Sequence, residues 1–173
     1  MDGNTHGLVH LYCGEGKGKT TAAMGLALRA LGNGRRVTIV QFLKGMASGE
    51  VALLEQLGAR LYRGDPDTKF AFQMTETEQQ AMRVLQTQQL RAALANQPDL
   101  LVLDEACAAW QLDLVDRPLL QEAVLHKPRA QELVLTGRDP AEWMVDAADY
   151  YTEMVCHKHP YQRGIPARKG VEF

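Results

Sequence analysis

The sequence predicts a three-layer α/β fold with a mostly parallel central sheet and helices on both faces. Three observations predict it. Short apolar runs alternate with helical stretches along the chain, the pattern of βαβ units. Two of the runs, residues 100–103 and 132–135, are apolar almost throughout, as strands covered on both faces are. Polar residues stand at the ends of successive runs, and in open parallel sheets ligands bind at the carboxyl ends of the strands.

Leu8 to Tyr12 reads as the first strand and leads into CGEGKGKTT at residues 13–21. Thr20 to Leu31 is rich in Ala and Leu and predicts a helix stopped by Gly32 and Gly34. Val37 to Phe42 is the next strand. Thr75 opens T-E-T-E, a capping box with Glu78, and Met82, Leu85, Ala93 and Leu94 then recur at helical spacing to about Asn96, with glutamines marking a wet face. Leu100 to Leu103 is a buried strand ending at Asp104 and Glu105. Glu132 to Leu135 is another, ending at Thr136, Gly137 and Arg138. Between these elements, GDPDTKFAFQ carries Phe70 and Phe72 at alternate positions. It reads either as a short edge strand with one buried face or as a loop presenting aromatic surface to a large apolar ligand.

The 173 residues, 46% hydrophobic and without a linker or repeat, fit one domain over 1–173. Nineteen basic against 21 acidic residues give a formal net charge of −2, so the chain lacks the cationic field that favours nucleic acid or an anionic membrane. Its apolar runs are far shorter than a membrane span. Three cysteines in no framework spacing, and an N-terminus without the regions of a signal peptide, point to a reducing cytoplasm. Cys13 and Cys107 are expected to be small buried residues, and Trp110 and Trp143 to serve packing. Cys156-His157-Lys158-His159 lacks a second ligand pair at finger spacing and reads as a polar strand end or tail.

The stretch CGEGKGKTT departs from the phosphate-binding pattern G-x-x-x-x-G-K-[ST]. Cys13 stands where the first glycine belongs, Gly14 comes one residue late, and Glu15 puts a carboxylate where phosphate should lie. Strand, glycine turn and Lys-Thr helix start nevertheless occur together. They predict a P-loop NTPase (RecA-like) fold in which Gly14, Glu15, Gly16, Lys17, Gly18 and the helix start Lys19-Thr20-Thr21 surround the triphosphate of ATP. Lys19 would supply a point charge to phosphate oxygens, and the Thr20 hydroxyl would ligate Mg²⁺. Asp104 and Glu105 follow their strand as a Walker B carboxylate does; at least one is expected to reach Mg²⁺ directly or through water, the alternative being a helix-capping or solvent-facing pair. Arg138 would hold phosphate oxygens bidentately, or else be a surface charge. No signature for activating an acceptor hydroxyl or water is present, although Glu105 could serve in an ordinary ATPase. That is compatible with a nucleophile that needs no activation.

YCGEGKGKTTAAMGLALRALG, VQFLKG at 40–45, LLVLDE at 100–105, LTGRDP at 135–140 and the C-terminal KHPYQRGIPARKGVEF together resemble the P-loop ATP:corrinoid adenosyltransferases. The family's loop typically reads G-N-G-K-G-K-T-T, with its first glycine late as well, and Glu15 stands where the family often has Asn. The resemblance implies that a corrinoid reduced to Co(I) attacks the 5′ carbon of ATP and that the whole triphosphate leaves. ATP would lie reversed, its γ-phosphate where an α-phosphate usually sits. The resemblance makes Lys19 and Arg138 the catalytic pair and Thr20 and Glu105 the Mg²⁺ contacts, with Asp104 close by. Phe70 and Phe72 match a Phe-x-Trp pair that packs near the corrin in some members. A homodimer and an electron-donating reductase or flavodoxin-like partner are implied too. Rival readings are a P-loop phosphotransferase or nucleoside kinase, and a regulatory ATP-binding module.

Overall fold

The alternation of apolar runs with helical stretches is realised as one six-stranded sheet with helices on both faces. The computed structural model describes residues 6–44, 48–64 and 71–172. In chain order the elements are β1 (Val9–Cys13), α1 (Lys19–Gly32), β2 (Val37–Gln41), α2 (Gly49–Gln56), β3 (Arg60–Arg63), a 3-10 turn (Ala71–Gln73), α3 (Glu76–Ala95) and β4 (Leu100–Asp104). There follow α4 (Ala106–Gln111), α5 (Arg117–Leu125), β5 (Glu132–Gly137), α6 (Glu142–Asp146), β6 (Tyr150–Glu153) and a second 3-10 turn (Pro160–Arg163).

The strands lie in the order β3-β2-β4-β5-β1-β6, and every neighbouring pair runs parallel. All carboxyl ends therefore fall on one edge. Val40 pairs with Leu103 and Gln41 with Asp104, while Tyr12 pairs with Thr136 and Cys13 with Gly137. This register brings the ends of β1, β2, β4 and β5 level with one another.

Strand periodicity divides the core in two. Leu101 and Leu103 of β4 join Leu133 and Leu135 of β5 against Leu90 and Ala93 of α3, Cys107 of α4, Leu120 of α5 and Met144 of α6. Leu100 and Val102 face the other way, against Ala23, Met24 and Ala27 of α1 and Leu54 of α2. The run LLVLD is apolar at every position but its last because both faces are covered, and a fully buried leucine such as Leu101 contributes about 2 kcal/mol of transfer free energy. Alanines at 23, 27 and 30 give α1 a small buried face, which lets its backbone lie close to the sheet.

The capping box of α3 is present: Thr75 Oγ1 accepts from the Glu78 N–H, and the Glu78 carboxylate accepts from the Thr75 N–H at 2.8 Å. Six elements go beyond what the sequence announced: α2, β3, α4, α5, α6 and β6. β3 (RLYR) and β6 (YYTE) are edge strands whose residues are half-buried to exposed, so no apolar run marks them, and α2 is a short helix between β2 and β3. An edge strand through Phe72 is not formed. Residues 71–73 make a single 3-10 turn with Phe72 83% exposed, and Phe70 lies outside the described residues. Among the described residues no helix is long and apolar enough to cross a membrane.

Candidate functional site

The turn between β1 and α1 is clamped from below by the segment that follows β6. Met154 N donates to the Cys13 carbonyl at 2.8 Å, and Gly16 N donates to the Met154 carbonyl at 2.6 Å. A Cβ at Gly16 would stand 2.6 Å from that carbonyl oxygen, and one at Gly14 2.7 Å, distances no side chain tolerates. Gly14 also takes φ +99°, so two requirements fix glycine there. Within the turn, Lys19 folds back: its Nζ donates to the Gly14 carbonyl at 2.6 Å and to the Gly16 carbonyl at 2.8 Å. Lys17 instead points along the exposed side and donates to the Val171 carbonyl at 3.2 Å, and Thr21 is exposed on α1.

A second group of side chains gathers on Asp104, which is fully buried at the carboxyl end of β4. Its Oδ1 accepts from the Thr20 hydroxyl at 2.9 Å and from the Thr136 hydroxyl at 2.6 Å. Its Oδ2 accepts from Gln41 Nε2 at 3.1 Å and from Lys44 Nζ at 2.7 Å. Lys44 also donates to Thr20 Oγ1 at 2.8 Å and lies 3.7 Å from the Glu105 carboxylate. A buried carboxylate without partners would be very costly; four donors, one of them cationic, make this one tolerable. Glu105 stands at the start of α4 with φ +60°, its N–H donating to the Thr136 hydroxyl at 2.9 Å.

Both residues in the left-handed region here, Leu43 at φ +59° and Glu105 at φ +60°, adjoin this group. Each costs on the order of 1 kcal/mol for a side chain that is not glycine. The bend at Leu43 follows directly on Phe42, whose N–H donates to the Asp104 carbonyl at 3.0 Å, so sheet pairing runs to the residue before the bend.

Arg138 follows β5 and meets Glu15 across the turn, Nη1 to Oε2 at 3.1 Å, with both side chains about 60% exposed. Glu15 thus points at the guanidinium expected to hold phosphate. Behind it, Gly137 packs on Cys107. Burial pushes the Cys107 thiol up to about 12, and burial likewise raises the Cys13 thiol. Neither thiol is a nucleophile at neutral pH.

The structure brings Lys19, Thr20, Asp104, Glu105, Glu15 and Arg138 to one edge of the sheet. Gln41, Lys44 and Thr136 join them; Thr136 is legible at its strand end and Gln41 and Lys44 within VQFLKG, but the sequence assigns none of the three a role. A lysine three residues beyond a buried Gln at the end of a strand was the available signal, since the parallel sheet puts that end beside Asp104. Trp110 and Trp143 pack edge-to-face with ring centroids 4.9 Å apart, beside the core. Hard oxygens of Thr20, Asp104 and Glu105 around the Lys44 ammonium fit a small divalent cation. Among the described residues no three His, Cys, Asp or Glu side chains converge as a metal cage.

Comparison with known proteins adds an independent line. The family described as ATP:corrinoid adenosyltransferase BtuR/CobO/CobP matches residues 5–173. A corrinoid adenosyltransferase of Pseudomonas aeruginosa is 34% identical over 170 residues, covering 96% of this chain and 84% of its own. One from Escherichia coli K12 is 31% identical over 168 residues, covering 96% and 86%. The enzyme named corrinoid adenosyltransferase CobA of Salmonella typhimurium is 32% identical over 168 residues, with the same coverage.

Proposed function

The chain belongs to the ATP:corrinoid adenosyltransferase family and adenosylates a corrinoid at the expense of ATP, and we propose that it does so on the glycine turn and the Asp104 group described above. In this reading the fold is of the P-loop type and the turn holds the triphosphate of ATP. One observation carries the proposal: Lys19, Thr20, Asp104, Lys44 and Arg138 stand at the carboxyl ends of adjacent parallel strands, a setting made for a polyanion.

The reaction asks the protein for position and charge rather than for a base. A Co(I) corrinoid supplies the electron pair, the Co–C5′ bond forms, the C5′–O5′ bond breaks, and the triphosphate departs with the bonding electrons. Lys19 is placed to exchange its carbonyl partners at Gly14 and Gly16 for phosphate oxygens. Arg138, at the mouth, is placed to exchange Glu15 for the same oxygens. Thr20, Asp104 and Glu105 are the residues that would hold Mg²⁺, which when bound neutralises charge on the leaving phosphates. Asp104 is occupied by four donors, and the buried thiols stay protonated. Phe72, exposed on its turn, is the residue we assign to the corrin side.

The test is to incubate the protein with MgATP and chemically reduced cobalamin, follow the light-sensitive cobalt–carbon spectrum and identify the phosphate product. Adenosylated corrinoid with triphosphate is the expected outcome; ADP or orthophosphate with an unchanged corrinoid would overturn it. Lys19→Ala is expected to slow turnover by at least about a hundredfold, as loss of one fixed charge at a leaving group does. A variant rate near that of the parent would mean that the turn does not hold the triphosphate.

A further inference from the structure

We propose that Lys44 is the resident counter-ion of the divalent-cation position, and that metal-nucleotide binds by displacing its ammonium from Thr20 and Asp104. This rests on the reading of Thr20 and Asp104 as metal-binding residues. The Lys44 Nζ lies 2.8 Å from Thr20 Oγ1, 2.7 Å from Asp104 Oδ2 and 3.7 Å from Glu105 Oε1. Those are the oxygens of a hard-cation site, and a cation already sits among them. An ammonium ion and a divalent cation cannot share two oxygens at such distances without strong repulsion, so occupancy is exclusive.

Two features show that the arrangement is built rather than incidental. The Asp104 carboxylate is completely buried, so without some cation it would be a desolvated charge, and Lys44 is the only side-chain cation hydrogen-bonded to it among the described residues. The backbone is bent at Leu43, φ +59°, immediately before Lys44, a conformation a leucine adopts only when its surroundings require it. The Lys44 side chain is itself about a third exposed, 32%, so its stem has solvent on one side and a path by which the ammonium can leave. When displaced it remains within a side-chain length of the triphosphate, where its charge has a new partner. The exchange means that the chain without nucleotide excludes free metal and admits it together with phosphate.

The experiment titrates Mn²⁺ by water-proton relaxation against the parent chain, Lys44→Met and Lys44→Gln, each with and without ATP. Folding of each variant is checked by circular dichroism. The parent without nucleotide is expected to bind Mn²⁺ weakly, and both substitutions to tighten that binding at least tenfold. Their thermal midpoints are expected to fall in metal-free buffer and to recover on adding Mn²⁺. Variants that bind Mn²⁺ no more tightly than the parent overturn the proposal, and so does parent chain that binds Mn²⁺ as tightly without ATP as with it, a measurement that needs no variant. The underlying site is read separately: Thr20→Val must weaken Mn²⁺ binding by the parent in the presence of ATP. If it does so while Lys44→Met and Lys44→Gln gain nothing, the metal position stands and the role of Lys44 falls.

Discussion

Glu15 shows what a single side chain can and cannot reveal from its letter alone. As a residue in a phosphate-binding turn it is an anomaly; in the structure its carboxylate takes Arg138 at 3.1 Å and leaves the backbone N–H groups of the turn alone. The pair is largely exposed, so it is worth at most about 1 kcal/mol, and breaking it costs little. Glu15→Gln frees the guanidinium and is therefore expected to lower the KM for ATP by up to about fivefold, with kcat nearly unchanged. A rise in KM would show that Glu15 helps to hold the nucleotide. Side-chain direction is what the sequence withholds here. Lys19, Thr20 and the Asp104-Glu105 pair were legible because a strand, a glycine turn and a helix start fix where such residues lie. Lys44 was not, because its position depends on a left-handed bend at a leucine, which no local preference announces.

At the scale of elements, legibility followed coverage. Central strands buried on both faces are apolar at most positions, so β2, β4 and β5 were readable; β3 and β6 pair with a neighbour on one side only and were not. Where elements meet closely, glycine marks the contact. Gly137 ends β5 at φ +150°, and a Cβ there would lie 2.5 Å from Cys107 Cβ and 2.9 Å from its Sγ in α4. Gly137→Ala forces α4 off the sheet beside Asp104 and Glu105, and we expect it to destabilise the fold by about 2–4 kcal/mol in urea unfolding. A loss under about 0.5 kcal/mol would mean that the helix shifts freely.

For the whole molecule, the buried thiols tie global stability to alkaline pH. Cys107 moves from the usual 9.0 up to about 12 because burial opposes its thiolate. Between those values the unfolded chain has released this proton and the folded chain has kept it. The unfolded state binds fewer protons, so stability falls as pH rises through that window, by up to about 1.4 kcal/mol per pH unit for this thiol. Urea unfolding at pH 8.5 and pH 10 is expected to show the decline, and Cys107→Ala to flatten it; an equal decline in the variant would assign the effect to other groups, such as Tyr12, which burial also raises.

The pairings at the sheet edge have a kinetic consequence. Lys17, Lys19, Lys44 and Arg138 bring four positive charges there, and Glu15, Asp104, Glu105 and Glu153, whose side chain lies against Gly14, bring four negative ones, with each of these cations already in contact with oxygen of its own chain. Seen from a Debye length away the entrance is close to neutral, so nucleotide arrives by unassisted diffusion and feels its partners only once it is among them. Its association rate should change little between low and physiological ionic strength, which stopped-flow measurement can read directly; a steep fall with salt would show a standing positive field. Such a site discriminates by what it exchanges on contact and draws in no passing anion from afar.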